Sequence, residues 1–312
     1  MGILWAVTTL ALIGLYEPVL AKIVHAWRMD SYAGHGMFVP MFSAYFLWIG
    51  WAQIRAAIGK QDPAGILVVV LGLGILALGR WAESTLVQGL SVVVAVAGSV
   101  LLGFGRRCLR EAAFPIGFLL FMVPLPRPAV AAFTLDLQRF AAGFAGRAVE
   151  ALGIPVYQTG VQIVLPTLTL RVEEVCNGLR FLMALLVLTI AFAQVSQRTL
   201  ARKLVLIAAA VPIAVVANAI RVATIALGVH YLGPQAAVGF IHGTIAKVIW
   251  LLTLIPLVGL GLLLRRGGGG KRAEDLASTR TDDMKHQVAK IDYGVLPWLR
   301  ALKPRLWANG RW

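Results

Sequence analysis

The ten residues RVEEVCNGLR, 171 to 180, set two carboxylates, a cysteine and two arginines just before a stretch that is almost wholly apolar. A thiol in that place has two readings. It is a small packing residue at a helix boundary with ordinary flanking charges, or it is a nucleophile held at a membrane surface. Nearby cations favour the reactive thiolate over the thiol, and Arg180 follows Cys176 by one helical turn. Further along, Asn218 and Arg221 stand three apart inside an apolar run, where charge is costly enough to be functional by default. Arginine is always protonated and cannot act as a base, but its planar fork suits a developing oxyanion. His242, in FIHG, can take a thiol proton and return it to a leaving amine. Such a set performs acyl transfer. Glu174 could orient His242 or Arg180, or simply balance charge.

Each residue also has a plainer reading. An arginine near a helix end usually snorkels to the headgroups. A histidine such as His242 is more often an interfacial residue than a catalyst, and His35 and His230 compete for its role. Cys108, in a cluster of arginines, is read as structural. What separates the two readings is whether the elements of the chain bring these side chains to one place.

Composition settles what kind of elements those are. Of 312 residues, 59% are hydrophobic and only 14% charged, with a mean hydropathy of +0.80. Soluble domains carry nearer a quarter charged residues, so the chain is a multi-span membrane protein. Its net charge of +15 is what cations gathered in short cytoplasmic loops produce. No phosphate-binding glycine loop or nucleic-acid-reading motif accompanies it, and nucleic acid is set aside as a partner. Two cysteines are too few for a disulfide framework. No cofactor and no metal site is expected.

Apolar runs of spanning length lie near 3–24, 37–58, 64–80, 86–105, 112–126, 178–196, 204–229 and 242–264, which predicts about eight spans. The N-terminal run lacks a basic flank and a clear cleavage site, so it is read as a retained span. With the N-terminus cytoplasmic, the inner loops carry Arg55 and Lys60, then Arg106, Arg107 and Arg110, then Arg198, Arg202 and Lys203, then Arg265, Arg266, Lys271 and Arg272. The facing loops are poorer in cations. The bias places both termini inside.

Residues 127–176 differ in kind. AVAAFTLDLQRFAAGFAGRAVEALG (129–153) spaces apolar residues at helical intervals among charges, which reads as an interfacial amphipathic helix. PVYQTGVQIVLPTLTLRVEEV then alternates apolar and polar residues around Gly160 and Pro166, the pattern of a small strand or hairpin. The fold class expected is therefore an all-α polytopic bundle with a small extracytoplasmic insertion of helix and hairpin. Its catalytic domain covers 1–265, and 266–312 is a basic cytoplasmic tail in which YGVLPWLRALKPRLW reads as a surface-bound stretch. On this topology Cys176 opens the sixth span, Arg221 sits in the outer half of the seventh, and His242 opens the eighth. Three consecutive spans then present thiol, guanidinium and imidazole at one membrane face.

The chain resembles the exosortase/archaeosortase family of membrane-embedded cysteine transpeptidases over roughly residues 15–265. YAGHGMFVP is similar to the family's Tyr-Ser-His-Gly…Val-Pro segment, and FPIGFLLFMVPLP to its Phe-Pro…Phe-Met-(Ile/Val)-Pro-Leu-Pro span. VEEVCNGLR resembles the nucleophile motif Val-x-Glu-Ala-Cys-Ser-Gly-(Ile/Leu)-Arg, with Asn177 where serine is common and Val175 for alanine. ANAIR and FIHG follow in the expected order. The resemblance implies Cys176 as nucleophile, Arg221 as transition-state stabiliser and His242 as proton shuttle, with Glu174, Arg180, Asn218 and His35 in support. It also implies an active site on the periplasmic side of a bacterial inner membrane. The partners it implies are membrane lipid and secreted proteins ending in a sorting signal: a short motif (often Pro-Glu-Pro-like), a transmembrane helix and a basic end. An exopolysaccharide or a lipid is then a candidate acceptor. Two other readings compete. A polytopic transporter would use Arg221 to hold an anion, though internal repeats and paired broken helices are lacking. A non-catalytic component of exopolysaccharide export needs no nucleophile at all.

Overall fold

The computed structural model describes residues 2–166, 168–172, 178–237 and 239–266. The chain is an all-α polytopic membrane protein with a small sheet. Its helices are α1 (Gly2–Met29), α2 (Val39–Ile49), α3 (Trp51–Ala56), α4 (Ala64–Trp81), α5 (Thr85–Phe118) and α6 (Arg127–Glu150), then α7 (Gly178–Ser196), α8 (Leu200–Leu232) and α9 (Gly239–Arg266). A 3-10 turn, Gly34–Phe38, joins α1 to α2. Residues up to Leu260 form one compact unit, and a second begins at Gly261, of which the described part is the last turns of α9.

Among the described residues, six helices are long and apolar enough to cross a membrane, against the eight spans expected. The difference has two sources. The second expected span is divided at Gly50 into α2 and α3, each too short to cross alone. The fourth and fifth are joined in α5, whose Gly105 has φ 83° and ψ 175°. That left-handed-side φ is open to glycine alone at low cost, and it breaks the helix into two arms. The arms fold back on each other. Gly89 in the first packs against the Val123 side chain beyond the end of the second, although a straight helix would hold them about 50 Å apart.

Close approach is what holds the first half of the bundle together. Gly65, Gly72 and Gly79 recur every seven residues along α4 and lie against the backbone of Leu102, Ala95 and Gln88 in the first arm of α5. In lipid, where apolar burial gives no net drive, such close packing is what associates helices. Side-chain bonds to backbone tie the other members on. Tyr16 donates to the Ser91 carbonyl at 3.2 Å, Ser43 to that of Pro115 at 2.8 Å and Trp27 to that of Met122 at 2.8 Å.

The second core lies at one end of the bundle. α6 buries a small-residue face of Ala141, Ala142, Ala145 and Val149 against Ala219, Val222 and Ala226 of α8. Its Phe133, Phe140 and Phe144 stay exposed. The expected amphipathic helix thus exists, with its inner face seated on α8. The expected hairpin is a three-stranded antiparallel sheet, β1 (Tyr157–Thr159), β2 (Gln162–Val164) and β3 (Thr169–Arg171), in order β1-β2-β3. Gly160, φ 61°, turns β1 into β2. Ile163 faces Leu170 across the β2–β3 pair, and both are buried in the same core as the α6 alanines.

Candidate active site

Four chain segments meet where the second core joins the bundle: the start of α7, the second half of α8, the start of α9 and the 3-10 turn. Each is delimited by local signals. α8 accommodates Pro212 and runs on until Gly233, φ 85°, ends it. Gly239, φ 70°, opens α9 three residues before His242.

Asn218 is 4% exposed, and its side-chain amide lies directly against Gly178, the first described residue of α7. A Cβ at Gly178 would stand 2.8 Å from Asn218 Nδ2, so α7 and α8 approach here only because position 178 has no side chain. One turn further along α8, the Arg221 guanidinium stacks over the Phe181 ring, with Cζ 5.9 Å from the ring centroid. That cation–π contact holds a partly buried charge beside the first turn of α7. His242 is within reach of the Arg221 charge, and its Nδ1 is buried with no hydrogen-bond partner among the described residues. The neighbouring Ile241 and Ile245 fix the start of α9 on the second core.

Arg180 stands exposed in the first turn of α7. It lines a cavity together with His35 of the 3-10 turn. His35 Nδ1 is buried without a partner. Burial holds its pKa below the ordinary histidine value, only partly offset by backbone groups of Tyr32 and Phe121. His230 lies about two and a half turns beyond Arg221 on α8, its ring 4.9 Å from that of Tyr231. Cys176 and Glu174 lie outside the described residues, as does the tail from residue 267. Cys108 is buried, 3% exposed, among Ile54, Val93 and Ala112 at the opposite end of the bundle.

The structure therefore brings Arg221, Asn218 and His242 together beside the start of α7, and places Arg180 and His35 on a shared cavity. Sequence reading missed Gly178 and Phe181. A small residue two positions after a candidate nucleophile was a signal for the first, but an apolar residue in an apolar span gives none for the second.

A family model described as transmembrane exosortase matches residues 27–259, more than half of the chain. No curated protein and no solved structure matches it.

Proposed function

The chain belongs to the transmembrane exosortase family, and from that premise we propose that it is a membrane cysteine endopeptidase and transpeptidase acting on C-terminal sorting signals. The observation that carries the reading is the seating of Asn218 against Gly178. It sets Arg221, one turn away, beside the segment that holds Cys176 in sequence.

Cys176 acts as the nucleophile. His242 accepts the thiol proton, and the thiolate adds to the scissile carbonyl to give a tetrahedral intermediate. Arg221 donates to the resulting oxyanion; its stacking on Phe181 limits how far the guanidinium can swing, the preorganisation such stabilisation needs. Collapse breaks the C–N bond, and the His242 proton passes to the leaving amine of the membrane-anchored tail. The thioester left on Cys176 is resolved by an acceptor amine or by water, with His242 again taking the proton. Arg180 favours the thiolate, and Glu174 orients His242 or Arg180.

We place the active site on the periplasmic side of the bacterial inner membrane, with both termini cytoplasmic. The arginine and lysine clusters at 55–60, 106–110 and 198–203 support this, because all fall at the end of the bundle opposite Arg221. The test is the full chain in nanodiscs with a protein ending in motif, helix and basic residues. The expected products are a shortened protein and a hydroxylamine-labile adduct on Cys176. A wild-type chain that gives neither, with any sorting-signal substrate of its own host, would sink the reading.

A further inference from the structure

A cavity of about 520 Å³ opens between the turn joining α1 to α2, one face of α7, and α9. Its α7 wall is built from positions 180, 184, 187 and 188, a single helical face. The cavity is therefore a groove that runs along α7 for about 12 Å, and it begins four residues after Cys176 in sequence. Its character changes along that length. Arg28, Asp30, Ser31, His35 and Arg180 form the end nearest the second core. Two turns deeper the walls are Phe42, Val187, Leu188 and, from α9, Trp250.

That gradient selects the occupant. A small soluble ligand needs no floor of phenylalanine, leucine and tryptophan at bilayer depth, and a lipid, which shares the polar-to-apolar order, has no need of a groove that begins four residues after Cys176. A polypeptide that passes from a polar stretch into an apolar anchor matches both ends in the right order. The volume falls within the roughly 300–1,000 Å³ of ligand pockets, which is room for a few residues of chain but not for a whole helix. His35 lines the polar end of the groove beside Arg180.

We infer that this groove receives the polar-to-apolar junction of the substrate, the first residues of its membrane anchor, and so sets the scissile bond at the start of α7. The inference rests on the peptidase reading above. A second cavity, of about 300 Å³ between α1 and α5, is lined by Trp5, Tyr16, Val96 and Phe104 and has no charged rim. It serves as the internal control.

The full chain carrying a photo-crosslinking residue at Leu188, and separately at Val96, is illuminated in nanodiscs with an anchored sorting-signal substrate. Leu188 couples to the first apolar residues of the anchor, and Val96 couples to lipid alone. In parallel, Ala184→Trp fills the groove wall. It slows the anchored substrate by about tenfold or more through KM, while cleavage of a short peptide that ends before the anchor stays within twofold of wild type. Coupling of Leu188 to lipid alone overturns the groove, as does wild-type turnover of the anchored substrate by Ala184→Trp. Should Ala184→Trp fail to fold, the Leu188 adduct decides, since that chain keeps the native wall at Ala184. Wild-type chain that cleaves no sorting-signal substrate overturns the peptidase reading instead, and the Leu188 adduct still judges the groove.

Discussion

The two ends of this bundle treat their polar groups in opposite ways. Where α4 begins, Asp62 accepts the Ala64 N–H at 2.9 Å and meets Arg106 Nε at 2.6 Å through its other oxygen. Lys203 donates to Gln194 at 2.6 Å nearby, between α8 and α7. At the other end, among the described residues, Asn218 Oδ1 and the Nδ1 atoms of His35, His230 and His242 are buried without partners. Toward the first end, Thr9 Oγ1 on α1 is likewise buried without a partner among the described residues. A buried unsatisfied group costs roughly 1–3 kcal/mol, so four at one end are a standing penalty that packing alone does not require. The first end is finished as a folded surface. On the proposed reading, the second is completed by the substrate.

The largest test of that contrast uses the two cysteines. Cys176→Ala and Cys176→Ser should abolish processing of a sorting-signal substrate, because no thioester can form. Cys108→Ala should leave the rate within about twofold, since Cys108 packs in the finished end, and deleting one small buried group costs stability rather than chemistry. Full processing by Cys176→Ala at wild-type expression would erase the distinction between the ends.

Next in size is Arg221. Arg221→Ala should lose about two to three orders of magnitude in rate, the scale for removing an oxyanion donor. Arg221→Lys should recover little, because a point charge on a flexible stem replaces a planar fork. Recovery to the wild-type rate in Arg221→Lys would reduce the residue to a generic positive charge. His242→Ala should also cripple turnover, and it carries a sharper signature. A histidine base gives the wild-type rate profile an ionisation limb, and that limb should vanish in residually active His242→Ala. If it persists, the base is another group, with His35 and His230 next in line.

How much of this was readable follows from what kind of fact each feature is. Arg221 and His242 stood out because charged or titratable residues inside apolar runs are rare, and the order of the spans fixed their common side. The two arms of α5 match the separate runs 86–105 and 112–126, because the arginines after Gly105 interrupted hydropathy where the chain turns. The break at Gly50 was hidden, since glycine is common in membrane helices and apolar residues continue on both sides. The third strand was hidden too. Pro166 read as punctuation, and only pairing with β2 makes 169–171 a strand. Gly178 against Asn218, Phe181 under Arg221 and the groove along α7 are contacts between spans. Within a span nearly every position is apolar, so the sequence carries no mark of which face meets which neighbour.

A smaller effect separates the ends through pH. Burial depresses the His35 pKa, so the ring is neutral in both folded and unfolded chain above about pH 6.5. Below that, the unfolded chain binds a proton that the folded chain refuses until its lower value is passed. Stability should therefore fall as pH drops from about 6.5 through the folded value, by at most about 1.4 kcal/mol per pH unit. Thermal unfolding in detergent between pH 7.5 and 5 should show that slope, reduced in His35→Gln. An identical slope in His35→Gln would assign the acid sensitivity to another group.

The smallest expected effect lies at the finished end, and it is the one that most directly checks whether the ends are independent. The Arg106 side chain is 75% exposed and that of Asp62 19%. An ion pair with one solvated partner contributes at most about 1 kcal/mol, even at 2.6 Å. Arg106→Gln should therefore unfold within a few degrees of wild type and process substrate within about twofold. Asp62→Ala should cost more, about 1 kcal/mol, because the Ala64 N–H at the start of α4 loses its acceptor along with the ion pair. Neither change should alter the pH profile of turnover, since neither residue touches the segments around His242. A tenfold loss of rate in Arg106→Gln, at wild-type amount and melting temperature, would show that the far end is coupled to the reaction. The finished end would then belong to the mechanism, and the contrast between the ends would fail.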